Sequence, residues 1–151
     1  MAAAYWTRAE DVFDQLEGRW SLERIIEGQA TMEGIATFTR DGADALAYHE
    51  EGQVRLAHGQ VLKAHREYRF ERAPGGFTVL FAEALPQLSR LFHRIELMHD
   101  RAALTGKAVH LCTPDTYDSS YQFLPDGSFV IRHAVRGPRK DYVSTTTFRR
   151  L

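Results

Sequence analysis

The sequence predicts an all-β fold, an antiparallel up-and-down barrel of about nine or ten short strands preceded by one short helix. Three observations carry this. After Gly18 the apolar residues recur at a period of two, the spacing of a half-buried strand. Turn-forming clusters punctuate that pattern at short intervals, from Asp41-Gly42 to Gly137-Pro138. No linker, internal repeat or low-complexity tract interrupts it, so the 151 residues read as one domain spanning 1–151.

The helix is predicted over about residues 8–17. Thr7 with Glu10 three positions later has the spacing of a capping box. Ala9, Val12, Phe13 and Leu16 follow at helical spacing, and Gly18 ends the pattern. The helix is expected to lie across one mouth of a barrel spanning about 19–150. The predicted strands are Arg19–Glu27, Thr31–Thr39, Ala45–Leu56, Val61–Arg72, Phe77–Glu83, Leu91–His99, Lys107–Cys112, Thr116–Phe123, Ser128–Arg136 and Asp141–Arg149. Closing such a meander removes its exposed edges. A β-sandwich is the alternative architecture.

Composition narrows the function. With 19 basic and 20 acidic residues the net charge is −1, so no global field draws in nucleic acid or a membrane surface. Six basic residues against one acid between Phe129 and Leu151 read as a solvated hairpin face. A single cysteine, Cys112, allows no internal disulfide. Met1–Tyr5 has no signal-peptide pattern and no apolar run reaches spanning length, so a cytoplasmic protein is expected.

Hairpin register assigns the inner face. Pro125-Asp126-Gly127 suits a type I turn with a glycine bulge, pairing Phe123 with Phe129, Tyr121 with Ile131, Ser119 with His133 and Tyr117 with Val135. The turn at Gly137–Lys140 pairs Arg136 with Asp141 outside. Inside, Val135 then meets Tyr142, His133 meets Ser144, Ile131 meets Thr146 and Phe129 meets Phe148. Both turns aim His133 inward between Ser119 and Ser144. A four-residue loop from Asp100 to Ala103 pairs Glu96 with Lys107 outside, and Leu97 with Gly106, Ile95 with Ala108, His93 with His110 and Leu91 with Cys112 inside. A three-residue loop at His58-Gly59 aligns Leu46, Tyr48, Val54 and Leu56 with Leu62, Ala64, Tyr68 and Phe70. That face also carries Glu50 and Arg66, two charges expected to pair.

Gly18-Arg19-Trp20, opening the first strand after a short helix, resembles the lipocalin Gly-x-Trp signature, which implies a calycin-like barrel. The resemblance implies that Trp20 packs at the closed end beneath an arginine from the last strand, Arg149 or Arg150. The chain departs from that group in having no paired cysteines and no room for a C-terminal helix. It lacks the helical pair of fatty-acid-binding proteins, and no segment matches the haem-ligand segment of nitrobindin-like barrels. Leu91-Phe92-His93-Arg94, His110–Tyr117 and Gly137-Pro138-Arg139-Lys140-Asp141-Tyr142 are similar to a bacterial family known only as a domain of unknown function. That likeness implies the barrel and brings no activity.

The richest polar inner surface is His133 with Ser119, Ser144, Tyr117, Tyr121 and Tyr142, joined by His93, His110 and Arg66. Tyrosines, apolar in body and polar at the tip, suit a site that orients a small organic molecule, or else an ordered internal network. His93, His110 and Cys112 could ligate a metal, but satisfied inner histidines are the expectation, with no metal or cofactor. His110 and Cys112, or His133 with its serines, could serve acid–base or nucleophilic chemistry, though no Gly-x-Ser-x-Gly elbow accompanies them. Arg139 and Lys140 either attract an anionic ligand to the mouth or form an ordinary exposed turn. The sequence therefore reads as a barrel binding a small, partly aromatic or anionic, organic ligand in a polar lumen. A small enzyme using inward histidines and a purely structural or partner-binding barrel are the alternatives.

Overall fold

A computed structural model describes residues 5–82, 91–112 and 114–151, with Leu91, Leu111 and Cys112 described by their backbone alone. Past Gly18 the period-two pattern becomes eleven antiparallel strands among the described residues. These are β1 (Gly18–Ile26), β2 (Ala30–Arg40), β3 (Ala45–Leu56), β4 (Val61–Ala73), β5 (Gly76–Phe81), β6 (Leu91–Glu96), β7 (Met98–Asp100), β8 (Ala103–Cys112), β9 (Asp115–Phe123), β10 (Phe129–Arg136) and β11 (Asp141–Arg150). They form one sheet in the order β6-β5-β4-β3-β2-β1-β11-β10-β9-β8-β7, curled into a nearly closed barrel. Among the described residues no helix is long and apolar enough to cross a membrane.

The extra strand comes from one segment that changes partner. The predicted run Leu91–His99 is split at Leu97. Upstream, β6 is laddered to β5; downstream, β7 is laddered to β8. One continuous piece of chain thus bridges the two ends of the sheet. Asp100 pairs with Ala103, leaving a two-residue loop where four residues were expected. Shortening a loop by one residue at each end preserves its register, so Met98 faces Thr105 as that register requires. The expected ladder above Leu97 is absent among the described residues: His93 pairs with Val79, and His110 with Tyr117. Glu96 pairs with Gly76, not Lys107, and Ile95 with Phe77, not Ala108. The predicted contact of Leu91 with Cys112 lies outside the described side chains. The seam is still tight. A Cβ on Gly106 would meet Ile95 Cγ2 at 2.5 Å, so only glycine lets β8 approach β6 here.

The two turns that assigned His133 have the predicted registers throughout. His133 faces Ser119 on β9 and Ser144 on β11. The hairpin joining β3 and β4 also follows its expected alignment, with Tyr48 opposite Tyr68 and Leu46 opposite Phe70.

The N-terminal segment is shorter than predicted. A 3-10 turn at Ala9–Asp11 leads into α1 (Val12–Gln15). The capping box does not form: Arg8 occupies the N-cap position, no side chain caps it, and Glu10 instead accepts from Arg8. Val12, Phe13 and Leu16 are nevertheless buried beneath the barrel, as the helical spacing required.

That end is closed by aromatic packing. Trp20 is fully buried, its ring stacked on Trp6 and edge-on to Phe129, which stacks on Phe148 at 4.3 Å between ring centroids. The guanidinium of Arg150 lies 4.0 Å from the Trp20 ring centroid and donates to the carbonyls of Gln15 and Glu17. Gly18 makes this possible, since its φ is +128° and a Cβ there would meet Arg150 Nη1 at 2.6 Å. Arg150, not Arg149, is therefore the covering arginine. Arg150→Gln should lose roughly 0.5–2 kcal/mol of stability, seen as a fall of a few degrees in Tm, whereas Arg149→Gln should leave Tm nearly unchanged. Equal shifts in thermal denaturation would contradict this packing.

Candidate functional site

The aromatic packing fills one half of the barrel; the other half is polar. Its floor is an ion pair between β1 and β3. Period two places Trp20, Leu22 and Arg24 on the same inner face of β1. Arg24 reaches over the inner face of β2 and binds Glu50 in bidentate fashion, Nη1 to Oε2 at 2.7 Å and Nη2 to Oε1 at 2.8 Å. Arg24 Nε donates to Thr146 Oγ1 at 2.8 Å, and the Tyr48 hydroxyl donates to Glu50 Oε1 at 2.7 Å. Burial alone would raise the pKa of Glu50 and lower that of Arg24. The hydrogen bonds and charge each supplies to the other outweigh burial, so both remain ionised. Burial and the Glu50 charge hold the Tyr48 hydroxyl protonated, well above its ordinary range.

This corrects one expectation. Arg66 does stand opposite Glu50 in the ladder, but it is not Glu50's ion-pair partner. Arg66 is exposed at the mouth, its guanidinium 5.9 Å from the Tyr68 ring centroid. Adjacent-strand register cannot reveal a side chain that reaches over the intervening strand from two places away. Arg24 was the residue missed. Its signal was available, because a charge in step with Trp20 and Leu22 must point inward.

Above the floor, β6, β9 and β10 bring two histidines together. Ser119 Oγ lies 2.6 Å from His133 Nδ1, and the Tyr121 hydroxyl lies 2.9 Å from His93 Nδ1. The two imidazoles are stacked with centroids 5.7 Å apart. Ser119 is 1% exposed and its hydroxyl has no other partner among the described residues. A buried hydroxyl must place its single proton, so Ser119 donates to Nδ1 and His133 carries its own proton on Nε2. The same reasoning assigns Tyr121 as donor to His93, whose buried Nε2 has no partner among the described residues. Burial lowers the His93 pKa to about 3, helped by the neighbouring His133 and His110. Burial, then the charges of Arg66 and Arg24, lowers that of His133 to about 4. Both rings are neutral near pH 7.

A cavity of about 320 Å³ opens over this layer at the end away from α1. Arg24, Arg66, Glu67, His133, Tyr117, Tyr142 and Ser144 supply its polar wall; Tyr68, Phe81, Phe92 and Val135 supply the apolar one. A pocket of about 30 Å³ continues beneath it towards Glu50 and Tyr121, room for a water or two. Of the predicted inner residues, Arg66, Tyr117, His133, Tyr142 and Ser144 line the large cavity, and Tyr121 the small one. Ser119 and His93 stand behind them. His110 is half-buried beside Phe92 and Phe81 and lines neither space.

The rim cations differ from one another. Lys140 is held by Asp115 at 3.2 Å and Arg139 is exposed. Among the described residues no group of three or more His, Cys, Asp or Glu is placed to hold a metal, and the Cys112 side chain lies outside them. The Ser119 hydroxyl is directed at Nδ1 and does not border the cavity, so a molecule bound there meets His133 through Nε2 rather than the serine.

Fold and cavity together define a nearly closed antiparallel β-barrel with an aromatic plug at one end and a polar pocket at the other. The chain belongs to the family of unknown function DUF6314, whose profile matches residues 16–150. No curated protein matches it. Similar solved structures include the redesigned β-barrel mFAP1 bound to DFHBI, at 12% identity and a TM-score of 0.42, covering 95% of this chain and 100% of that one. Another is a de novo designed fluorescence-activating β-barrel, at 10% identity and a TM-score of 0.45, covering 97% and 100%.

Proposed function

We propose that the protein binds a small organic molecule in the cavity at the open end of the barrel. One observation carries this reading. The core that fills the aromatic half stops at the Arg24–Glu50 floor, and about 320 Å³ above it is left with mixed aromatic and polar walls. A purely structural barrel would fill that space with side chains, whereas pockets for small ligands begin near ~300 Å³ and combine apolar walls with a few placed polar groups. The polar layer beneath is rigid, since each histidine is fixed by a hydroxyl and Glu50 by three donors. Rigid placement of donors favours specific binding over loose partitioning.

The test is a titration with N-phenyl-1-naphthylamine, a neutral fluorophore that brightens in apolar surroundings. Saturable binding with one site per chain is expected. It should be abolished by Ser144→Phe, which fills the cavity, and retained in Val109→Phe on the exposed outer face. Circular dichroism establishes that both variants fold. Binding that survives Ser144→Phe in a folded protein, or no saturable binding in the unaltered chain, would overturn the proposal.

A further inference from the structure

We propose that the ligand is an organic anion, a carboxylate carried on a flat apolar body, received by the Arg66 guanidinium and the Nε2–H of His133. This rests on the reading of the cavity as a ligand site and adds the chemical class it takes.

The lining is unbalanced between donors and acceptors. Glu50, the acid at the floor, already accepts from Arg24 twice and from Tyr48 once, so its charge and lone pairs are engaged. The acid bordering the cavity, Glu67, lies on the outward step of β4 and its Oε1 is 3.5 Å from His49 Nδ1. Arg66 is different. Among the described residues no carboxylate lies within salt-bridge distance of it, and it borders both the large cavity and the small pocket beneath. The donation by Ser119 fixes the His133 tautomer, so the cavity receives an N–H there and not a lone pair. Burial beside Arg66 and Arg24 keeps that ring neutral, so it gives one hydrogen bond without a competing charge.

A ligand amine would bring further donors and a positive charge towards Arg66. A carboxylate has two oxygens, accepts on both and donates from neither, which matches a guanidinium fork and a neighbouring N–H. The remaining wall favours a flat body. The Tyr68 and Phe92 rings are nearly parallel at 12° with centroids 5.9 Å apart, and Phe81 stands 4.6 Å from Phe92. These rings offer apolar surface beside the charged end of the cavity.

The experiment compares 2-naphthoate with 2-naphthamide, which share a body and differ in charge, by isothermal titration calorimetry at pH 7 on the full chain. The naphthoate should bind at least ten-fold more tightly. Arg66→Gln, at an exposed position where the fold tolerates change, should weaken naphthoate far more than naphthamide and so remove most of that advantage. His133→Phe should weaken naphthoate several-fold. Equal affinity for the two compounds, or a naphthoate affinity unmoved by Arg66→Gln, overturns the anion assignment while the cavity remains a ligand site. Failure of both compounds to bind overturns the assignment and the ligand-site reading together.

Discussion

Replacing Arg24 by Met should destabilise the protein by about 3–5 kcal/mol, because Glu50 would be left as a buried charge without its partner. Both side chains are at most one-tenth exposed, so water cannot substitute for the guanidinium. For a chain of this length the loss corresponds to a fall in Tm on the order of 10 °C. The double variant Arg24→Met/Glu50→Leu should recover much of it, since a buried ion pair replaced by apolar groups of similar volume is often near neutral. Tyr48 and Thr146 would then each lose a partner, which limits the recovery by about 1–3 kcal/mol per group left unsatisfied. Equilibrium denaturation of the three proteins measures both effects. A single variant as stable as the unaltered chain would mean that the pair does not hold the lumen floor.

Mild acid should produce the second large effect. His93 and His133 are neutral in the folded state down to about pH 3 and 4 respectively. In the unfolded chain both take up a proton near their ordinary value of about 6.5. Above that value neither state binds the extra proton and folding carries no penalty. Between about pH 6.5 and pH 4 the unfolded state holds more protons, so stability falls as the pH falls, by about 1.4 kcal/mol per pH unit for each histidine. Glu50, whose folded pKa lies below the usual carboxylate value, adds to the loss only at the lower end of this window, where the unfolded carboxylate begins to take up a proton. Urea denaturation at half-unit steps from pH 7 to 4 reads the slope directly. His93→Asn and His133→Asn, which keep an acceptor for the hydroxyl and cannot titrate, should each remove part of it. A slope unchanged in both variants would show that the histidines are not held neutral inside the barrel.

Much of this arrangement was legible in the sequence, for a physical reason. A short turn fixes which residues face each other, and a period of two then fixes which face they share. The turns at Pro125–Gly127 and Gly137–Lys140 therefore placed His133, Ser119 and Ser144 together without reference to any other part of the chain. Where hairpin logic ends, so did the reading. Leu91–His99 alternates without a break, and nothing local marks Leu97 as the point where the segment leaves β5 for β8; only closure of the whole barrel determines it. Arg24 meets Glu50 across β2, and no adjacent pairing shows that contact. Thr7 and Glu10 have the spacing of a capping box, yet Arg8 between them offers Glu10 a charged partner, and the ion pair prevails. Arg66 was placed on the correct face but given the wrong partner. That difference leaves a cation at the mouth instead of burying it on the floor.

The central claim, that the open-end cavity binds a small molecule, has a specific structural competitor. A broader depression of about 610 Å³ lies on the outer face between Gly34, Gly52, His49 and His65. Amide chemical-shift mapping during a titration with N-phenyl-1-naphthylamine separates the two. The expected result is perturbation concentrated at Arg24, Tyr68, Tyr117, His133, Tyr142 and Ser144, with the outer face unchanged. Perturbation concentrated at Gly34, His49, Gly52 and His65, with the lumen residues unmoved, would contradict the claim.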